Sequence, residues 1–164
     1  MATDRSSRVD VETRTVIDRP VADVAAFAAD PSNAPEWYEN IVKVEWKSAP
    51  PVQVGSVVSF EARFLGRTLC YDYEVVELVP GERLVMRTSQ GPFPMQTVYT
   101  WREVAPNRTE MILRNTGEPS GFSKFVAPLM ALAMRRANRK DLAALNAILT
   151  KGSGGSNPGL SGGS

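Results

Sequence analysis

The sequence contains no histidine and only one cysteine, Cys70. Without histidine the chain lacks the most common general base and the most common metal ligand, and Ser-His or Cys-His catalytic arrangements are excluded. A single cysteine excludes an intrachain disulfide and leaves too few ligands for a typical transition-metal site. We therefore predict no metal and no other cofactor. Any chemistry must use carboxylates, tyrosines, basic side chains or bound water.

The sequence also lacks a strong excess of charge and any long apolar run. Lys and Arg number 19 against 18 Asp and Glu, so the formal net charge is +1. Nucleic-acid-binding proteins usually carry a strongly basic face, and we expect no nucleic-acid partner. No window approaches about 18 consecutive apolar residues, and the first residues have no apolar leader core. These absences predict a cytoplasmic protein without integral membrane association; they leave the oligomeric state open.

The length of 164 residues favours one domain with a sizeable core. We expect residues 1–8 to be flexible and residues 9–150 to form the domain. Residues 151–164, "KGSGGSNPGLSGGS", are rich in Gly and Ser. This composition is typical of a disordered tail or an artificial linker.

Seven stretches alternate apolar and polar residues, which is typical of half-buried strands. They cover residues 9–17, 41–46, 57–65, 69–75, 83–89, 95–104 and 109–115. Turn signals such as "PGE" at 80–82 and "PN" at 106–107 separate several of them. The last six strands follow each other with no helical pattern between them, which indicates an antiparallel meander.

Helical patterns occupy the first long gap and the end of the chain. Pro20 opens a first helix with one apolar face. In "DPSNAPEW" (30–37), Pro31 ends that helix, and Asn33 with Glu36 predicts a capping box for a second short helix. A long helix is expected over about 120–150, with Pro128 kinking or delaying its start.

The predicted fold is α+β: a seven-stranded curved antiparallel sheet, two short helices after strand 1 and a long C-terminal helix across the concave face. The segments "TVIDRPVADVAAFAADPSNAPEW", "FLGR", "YEVVELVPGERLVMR" and "RRANRKDLAALNAIL" carry a resemblance. In these segments the chain is similar to the START-like polyketide cyclase/dehydrase (SRPBCC) superfamily, and the resemblance covers residues 9–150. This superfamily has the helix-grip fold of the birch-pollen allergen group. These are mostly framework residues, so they are informative about the fold and much less about the function.

The resemblance implies a cavity between the sheet and the last helix. Apolar pockets with a few polar groups are typical of small-molecule sites, and methionine suits permissive binding surfaces. The alternative is that the same side chains fill a solid core. Thr88 is a further polar candidate on these faces. The residues predicted to line the cavity are Trp37, Phe60, Phe64, Tyr71, Tyr73, Met86, Thr97, Tyr99, Trp101, Met111, Asn115, Phe125, Met130 and Met134.

Asp141 is the one charged residue on the apolar face of the last helix. A buried charge is costly unless it is paired or hydrogen-bonded. It could be an acid or base facing the cavity, but we favour a structural role in which it accepts hydrogen bonds from backbone amides or an arginine. The basic residues Arg135, Arg136, Arg139 and Lys140 fall on the opposite face and are expected to be solvated.

Three functions compete. The leading prediction is a protein that binds or carries a small hydrophobic or aromatic molecule: a lipid, quinone, polyketide or steroid-like compound. The segment 89–95, with the start of the last helix, would form the mouth. The rival is an aromatase/cyclase or dehydrase acting on a polyketide-like chain, with tyrosine or water moving protons. The third is a protein-interaction module that uses the apolar start of the last helix.

Overall fold

One antiparallel sheet of seven strands organises the structure, a computed structural model that describes residues 8–64, 66–91, 93–118 and 126–151. The strand order is β1-β7-β6-β5-β4-β3-β2, so the first two strands lie at opposite edges. The sheet is strongly curved and α3 crosses its concave face. The strands are β1 (Val9–Ile17), β2 (Ile41–Trp46), β3 (Val57–Phe64), β4 (Arg67–Val79), β5 (Arg83–Gln90), β6 (Met95–Ala105) and β7 (Arg108–Gly117). The helices are α1 (Val21–Ala29), α2 (Ala34–Trp37) and α3 (Val126–Lys151).

The strands form where the alternation predicts them. In β1, Val9, Val11 and Ile17 are buried while Asp10 and Glu12 are exposed. Because successive side chains point to opposite faces, this alternation places one face of each strand on the core. β4 is longer than the predicted 69–75, since pairing with β3 and β5 extends it at both ends.

Two kinds of backbone feature shape the sheet. Gly81 and Asn107 have positive φ angles of 75° and 57° in the β4–β5 and β6–β7 turns, a conformation that glycine and asparagine tolerate best. The register shifts between Val75 and Glu77 in β4, and between Glu103 and Ala105 in β6. Such bulges bend a strand and increase its twist, and they accompany the curvature of this sheet.

The segment "DPSNAPEW" is helix punctuation, but its capping differs from the prediction. Asn33 makes no side-chain cap for α2; its amide donates to the carbonyl of Phe27 at 3.1 Å. The cap is one element earlier, where the carboxylate of Asp30 accepts from the Ser32 backbone N–H at 2.9 Å. The predicted Asn33–Glu36 capping box is therefore wrong. A short 3-10 turn, 31–33, intervenes and places Asn33 in a helical conformation that does not suit a cap.

Helix α3 packs along β1 and against α2. Leu142, Leu145 and Leu149 turn into the core, whereas Leu129 and Leu132 are 67% and 63% exposed. Pro128 lies in the first turn of the described helix. The predicted start of this helix at 120–125 falls outside the described residues, as do the predictions for residues 1–7 and 152–164.

The buried core lies at one end of the sheet, beneath α1 and the second half of α3. Its members include Ile17, Val24, Leu113, Leu142 and Leu145. A second, smaller cluster joins Val9, Val11, Phe93, Ala127 and Met130 at the other end of α3. The candidate site described below lies between the concave face of the sheet and α3, and Met130 of the second cluster lines it.

Helix α3 offers a matched test of this packing. Leu145 is fully buried and Leu129 is largely exposed on the same helix. Truncating a buried leucine loses transfer free energy and leaves a cavity, so Leu145→Ala should lower the free energy of unfolding by about 2–5 kcal/mol. Leu129→Ala should change it by less than about 0.5 kcal/mol. Urea titration of both variants measures the difference; equal effects would contradict the position of α3.

Candidate functional site

A cavity of about 170 Å³ lies between the concave face of the sheet and α3. For comparison, an engineered apolar cavity of about 150 Å³ in another protein holds benzene. Typical ligand pockets are larger, about 300–1,000 Å³. The cavity in this structure therefore matches a single ring or a short apolar chain.

The structure brings most of the predicted residues together around this cavity. The predicted residues that line the cavity are Phe60, Phe64, Tyr71, Tyr73, Met86, Thr97, Tyr99, Asn115, Met130 and Met134. They come from β3, β4, β5, β6, β7 and α3. Their contact with any ligand stays a prediction. The placement of the strand residues follows from the alternation of apolar and polar side chains along each strand.

Three predicted residues lie elsewhere. Trp37, Trp101 and Met111 are almost fully buried in the main core and do not line the cavity. Trp101 and Met111 are on the same faces of β6 and β7 as the cavity residues, but at positions where the main core covers the sheet. Trp37, at the end of α2, packs into the same core. Alternation predicts the face of a side chain and not what covers it. Phe125 lies outside the described residues.

Four further residues line the cavity, and one of them was missed. Phe93 and Met95, within the predicted mouth segment 89–95, lie on its wall, as does Tyr38; Asn138 is the residue that was not predicted. Phe93 could have been predicted from the sequence, because it is an aromatic residue between two prolines. The mouth formed by segment 89–95 and the start of the last helix stays a prediction, because Pro92 and residues 119–125 lie outside the described residues. Asn138 carried no signal in the sequence.

The aromatic part of the wall is built from rings in contact. Tyr71 and Phe93 meet edge to face at 6.2 Å between centroids, and Phe60 meets Tyr73 in the same way at 5.7 Å. Such pairs favour a fixed geometry. Gly91 permits this arrangement, because a Cβ at this position would lie 2.6 Å from the Tyr71 ring.

Two tyrosine hydroxyls form a hydrogen-bonded pair on the wall. The Tyr38 and Tyr99 oxygens lie 2.6 Å apart, and either can donate. Burial, as the largest cause, raises the pKa of Tyr38 and of Tyr99 above its usual value. Both phenols are therefore neutral at physiological pH. One of the two protons is used in the pair and the other has no acceptor among the described residues.

A second polar pair is joined by an internal hydrogen bond. Thr97 donates its hydroxyl proton to the side-chain oxygen of Asn115 at 2.9 Å, and both residues are buried. Thr88, at the end of β5, is hydrogen-bonded to the backbone of Met95 and does not line the cavity. This bond uses the Thr97 proton and the Asn115 oxygen, so the Asn115 amide protons remain as donors on the cavity wall.

Asp141 has both a structural contact and a place on the cavity wall. Its carboxylate accepts from the backbone N–H of Glu39 at 3.0 Å, as the structural interpretation predicted. It is only 2% exposed, and it also lines the cavity, which that interpretation did not expect. Burial is the main cause that raises its pKa to about 6; the Glu39 amide and Lys140 lower it, and the Glu39 charge raises it.

Asn138 lies one turn before Asp141 on the same wall. It is 6% exposed, and its side-chain nitrogen is buried with no hydrogen-bond partner among the described residues. Buried amides are nearly always hydrogen-bonded in folded proteins, so this nitrogen needs an explanation.

The described residues contain neither a metal-binding cluster nor a membrane-spanning helix. Within these ranges no group of three His, Cys, Asp or Glu side chains could hold a metal ion. None of the described helices has both the length and the apolar character needed to cross a bilayer.

Comparison with known proteins shows where this architecture occurs. A family model described as polyketide cyclase/dehydrase and lipid transport matches residues 8–150. No curated protein matches the sequence. The Zhui aromatase/cyclase from Streptomyces sp. R1128 superposes with a TM-score of 0.76 at 17% identity, covering 91% of this chain and 99% of that one.

Two further solved structures share the fold. A START superfamily protein from Mycobacterium smegmatis has a TM-score of 0.76 at 12% identity, covering 88% of this chain and 99% of its own. Major latex-like protein 151 from Panax ginseng has a TM-score of 0.69 at 12% identity, with 87% and 98% covered. At these identities the likeness concerns the fold alone. The predicted seven-stranded helix-grip architecture is confirmed.

The raised pKa of Asp141 predicts a pH-dependent stability. The folded state binds the proton more tightly than the unfolded state, whose carboxyl pKa is near 3.8. The free energy of unfolding should therefore fall as the pH rises from about 4 to about 6. Above about pH 6 the titration of Asp141 should cause no further change in it. Asp141→Asn keeps the acceptor for Glu39 without the charge, so it should raise the free energy of unfolding by about 1–2 kcal/mol at pH 7.5.

Urea titrations of both proteins from pH 4 to pH 8 measure this effect. The difference between variant and wild type should be small at pH 4 and largest above pH 6. A constant difference across the range would contradict a buried carboxyl with a raised pKa. Asp10→Asn is a contrasting control: an arginine hydrogen bond lowers the pKa of this exposed carboxyl, so removing the charge should not stabilise the protein.

Proposed function

The chain belongs to the polyketide cyclase/dehydrase and lipid transport family, and on this premise we propose that it binds or carries a small hydrophobic or aromatic molecule in the cavity between the sheet and α3. The observation that carries the proposal is the cavity itself. Its wall is mostly apolar, with aromatic rings from β3 and β4 and four methionines from β5, β6 and α3.

The energetics of packing support this function. Protein interiors are normally filled at the density of organic crystals, and a void forfeits the contacts of the atoms that line it. The apolar atoms that face this volume of about 170 Å³ lack packed protein neighbours on one side, which costs stability. A molecule that fills it regains those contacts and leaves water, which is the main source of affinity for apolar ligands.

The wall chemistry favours a ring over a strongly polar ligand. Met86, Met130 and Met134 are adaptable side chains that make favourable contacts with aromatic groups. Tyr71, Tyr73 and Phe93 add ring faces and edges. Among the described residues the only charged side chains on the wall are Asp30 and Asp141, so an anionic ligand would lose its hydration without compensation.

A second candidate function is catalysis of a polyketide cyclase or dehydrase type. One observation favours it: Asp141 is a wall carboxyl whose pKa of about 6 lies near physiological pH. A group with such a pKa exchanges protons readily as a general acid or base. In this reaction class the cavity would hold a flexible chain close to its cyclised geometry, and Asp141 would take or return the proton.

Filling the cavity tests the binding function. Ala137 lines the cavity on α3, and Ala147 is exposed two to three turns later on the same helix. Ala137→Phe should occupy the ligand space and reduce the affinity for a one-ring probe such as toluene at least 10-fold; Ala147→Phe should leave it unchanged. Isothermal titration calorimetry measures both, with melting temperatures as a check on folding.

Extraction of the purified protein with organic solvent, followed by mass spectrometry, identifies any ligand retained from the cell. Failure of apolar one-ring probes to bind or stabilise the wild type, together with no retained ligand, would reject the binding function.

The catalytic candidate has its own test. A synthetic poly-β-ketone thioester should cyclise faster with the protein than without it, and Asp141→Asn should reduce the rate at least 100-fold, within the usual contribution of general acid–base catalysis. Liquid chromatography with mass spectrometry follows substrate and product. Asp10→Asn makes the same change at an exposed carboxyl outside the cavity and should leave the rate unchanged. Equal rates with and without protein would leave only the binding function.

A further inference from the structure

Helix α3 places two polar side chains next to each other on an otherwise apolar part of the wall. Asn138 and Asp141 are three residues apart, and such residues lie on the same face of a helix with Cβ atoms about 5–6 Å apart. Both are more than nine-tenths buried and both line the cavity. A single small group in the cavity can therefore reach both side chains.

Asn138 supplies an unused donor. Its amide nitrogen is buried and has no acceptor among the described residues. An amide N–H that is removed from water and left unpaired destabilises the folded protein. A ligand oxygen at this position would accept its hydrogen bond and remove the penalty.

Asp141 supplies an unused acceptor. One carboxyl oxygen accepts from the Glu39 amide, and within the described ranges the other oxygen has no hydrogen bond. An ionised carboxylate has about four acceptor positions, so one contact leaves most of them open. Lys140 does not fill this role, because it is exposed and lies near Glu39 at 4.0 Å.

From this geometry we propose that Asn138 and Asp141 together recognise one hydroxyl group on the ring of the bound molecule, so that the ligand is a phenol. The inference rests on the proposed binding function. The hydroxyl oxygen accepts from the Asn138 amide and its proton is donated to Asp141. A ketone or ether satisfies only Asn138, and an ammonium group satisfies only Asp141; a hydroxyl satisfies both.

The rest of the wall fits the remainder of such a molecule. Met134 lies one turn before Asn138 on the same side of α3, and the Tyr38–Tyr99 pair also belongs to the wall. An aromatic ring of the ligand would meet methionine and aromatic contacts while its hydroxyl lies at α3. The cavity volume accommodates one ring with a short substituent.

Three matched probes test the proposal in the wild-type protein. 4-Ethylphenol both donates and accepts, 4-ethylanisole only accepts, and 4-ethyltoluene does neither. Titration calorimetry at pH 8 keeps the phenol neutral and Asp141 ionised, since its pKa is about 6. We expect the phenol to bind about 10-fold more tightly than the ether, and the ether about 3-fold more tightly than the hydrocarbon.

Two variants separate the roles of the side chains. In Asp141→Asn the carboxylate acceptor is lost, so the phenol and the ether should bind equally. In Asn138→Leu, which has a similar shape without the donor, the ether should bind no better than the hydrocarbon. Asn146→Leu makes the same change outside the cavity, where Asn146 donates to the Val16 carbonyl, and should leave the order of the three probes unchanged.

The outcomes distinguish this inference from the function on which it rests. Equal affinities of the three probes for the wild type would overturn the hydroxyl site and leave the binding function intact. An unchanged order in both Asp141→Asn and Asn138→Leu would also overturn it, and would assign the preference to another polar group of the wall. Failure of every probe to bind, with no retained ligand, would reject the binding function. The wild-type comparison needs no variant, so a variant that fails to fold does not weaken the test.

Discussion

The hydrogen bond from the Glu39 amide to the Asp141 carboxylate ties the long helix to the short link between α2 and β2. α3 packs on β1 at one edge of the sheet, and this hydrogen bond, with the packing of α3 against α2, holds it on its other side. A helix held at both sides of a curved sheet cannot collapse onto the middle of the concave face. The cavity exists because the helix is supported at its margins while the sheet bends away beneath it.

That constraint gives Asp141 two roles with conflicting requirements. To hold α3 in place, the side chain at position 141 needs only an oxygen that accepts from the Glu39 amide. A neutral asparagine would also provide this oxygen. Its charge adds a desolvation cost, which appears as a raised pKa. Natural proteins keep such costly buried groups mainly where function uses them. The adjacent Asn138, with an unpaired amide nitrogen, is a second unfavourable group on the same turn of helix. Unpaired buried nitrogens also occur at Trp37 and Trp101 in the core, so it is the position of Asn138 on the cavity wall beside Asp141 that supports a ligand.

The fold was largely predictable because each of its signals is local. Alternation in strands such as 9–17 and 95–104 depends on neighbouring residues, and the turns at Gly81 and Asn107 depend on one backbone angle each. The capping of "DPSNAPEW" was less predictable: Asp30, Ser32 and Asn33 are all competent caps, and a short 3-10 turn decided between them. The wall of the cavity was predicted where alternation alone determines it, as for Phe60 and Tyr71. Asn138 was missed, because its place on the wall depends on how α3 lies across the sheet.

The sequence by itself determined the number and order of the elements, the inward face of each strand and the absence of histidine chemistry. Periodicity and composition carry this information, since both are properties of the unfolded chain. Only the tertiary structure decided which inward residues meet a void and which meet another element. Trp101 and Tyr99 share a face of β6, yet only Tyr99 lines the cavity. The physical reason is that a void is defined by the distance between surfaces that lie far apart in the chain, and no local pattern records that distance.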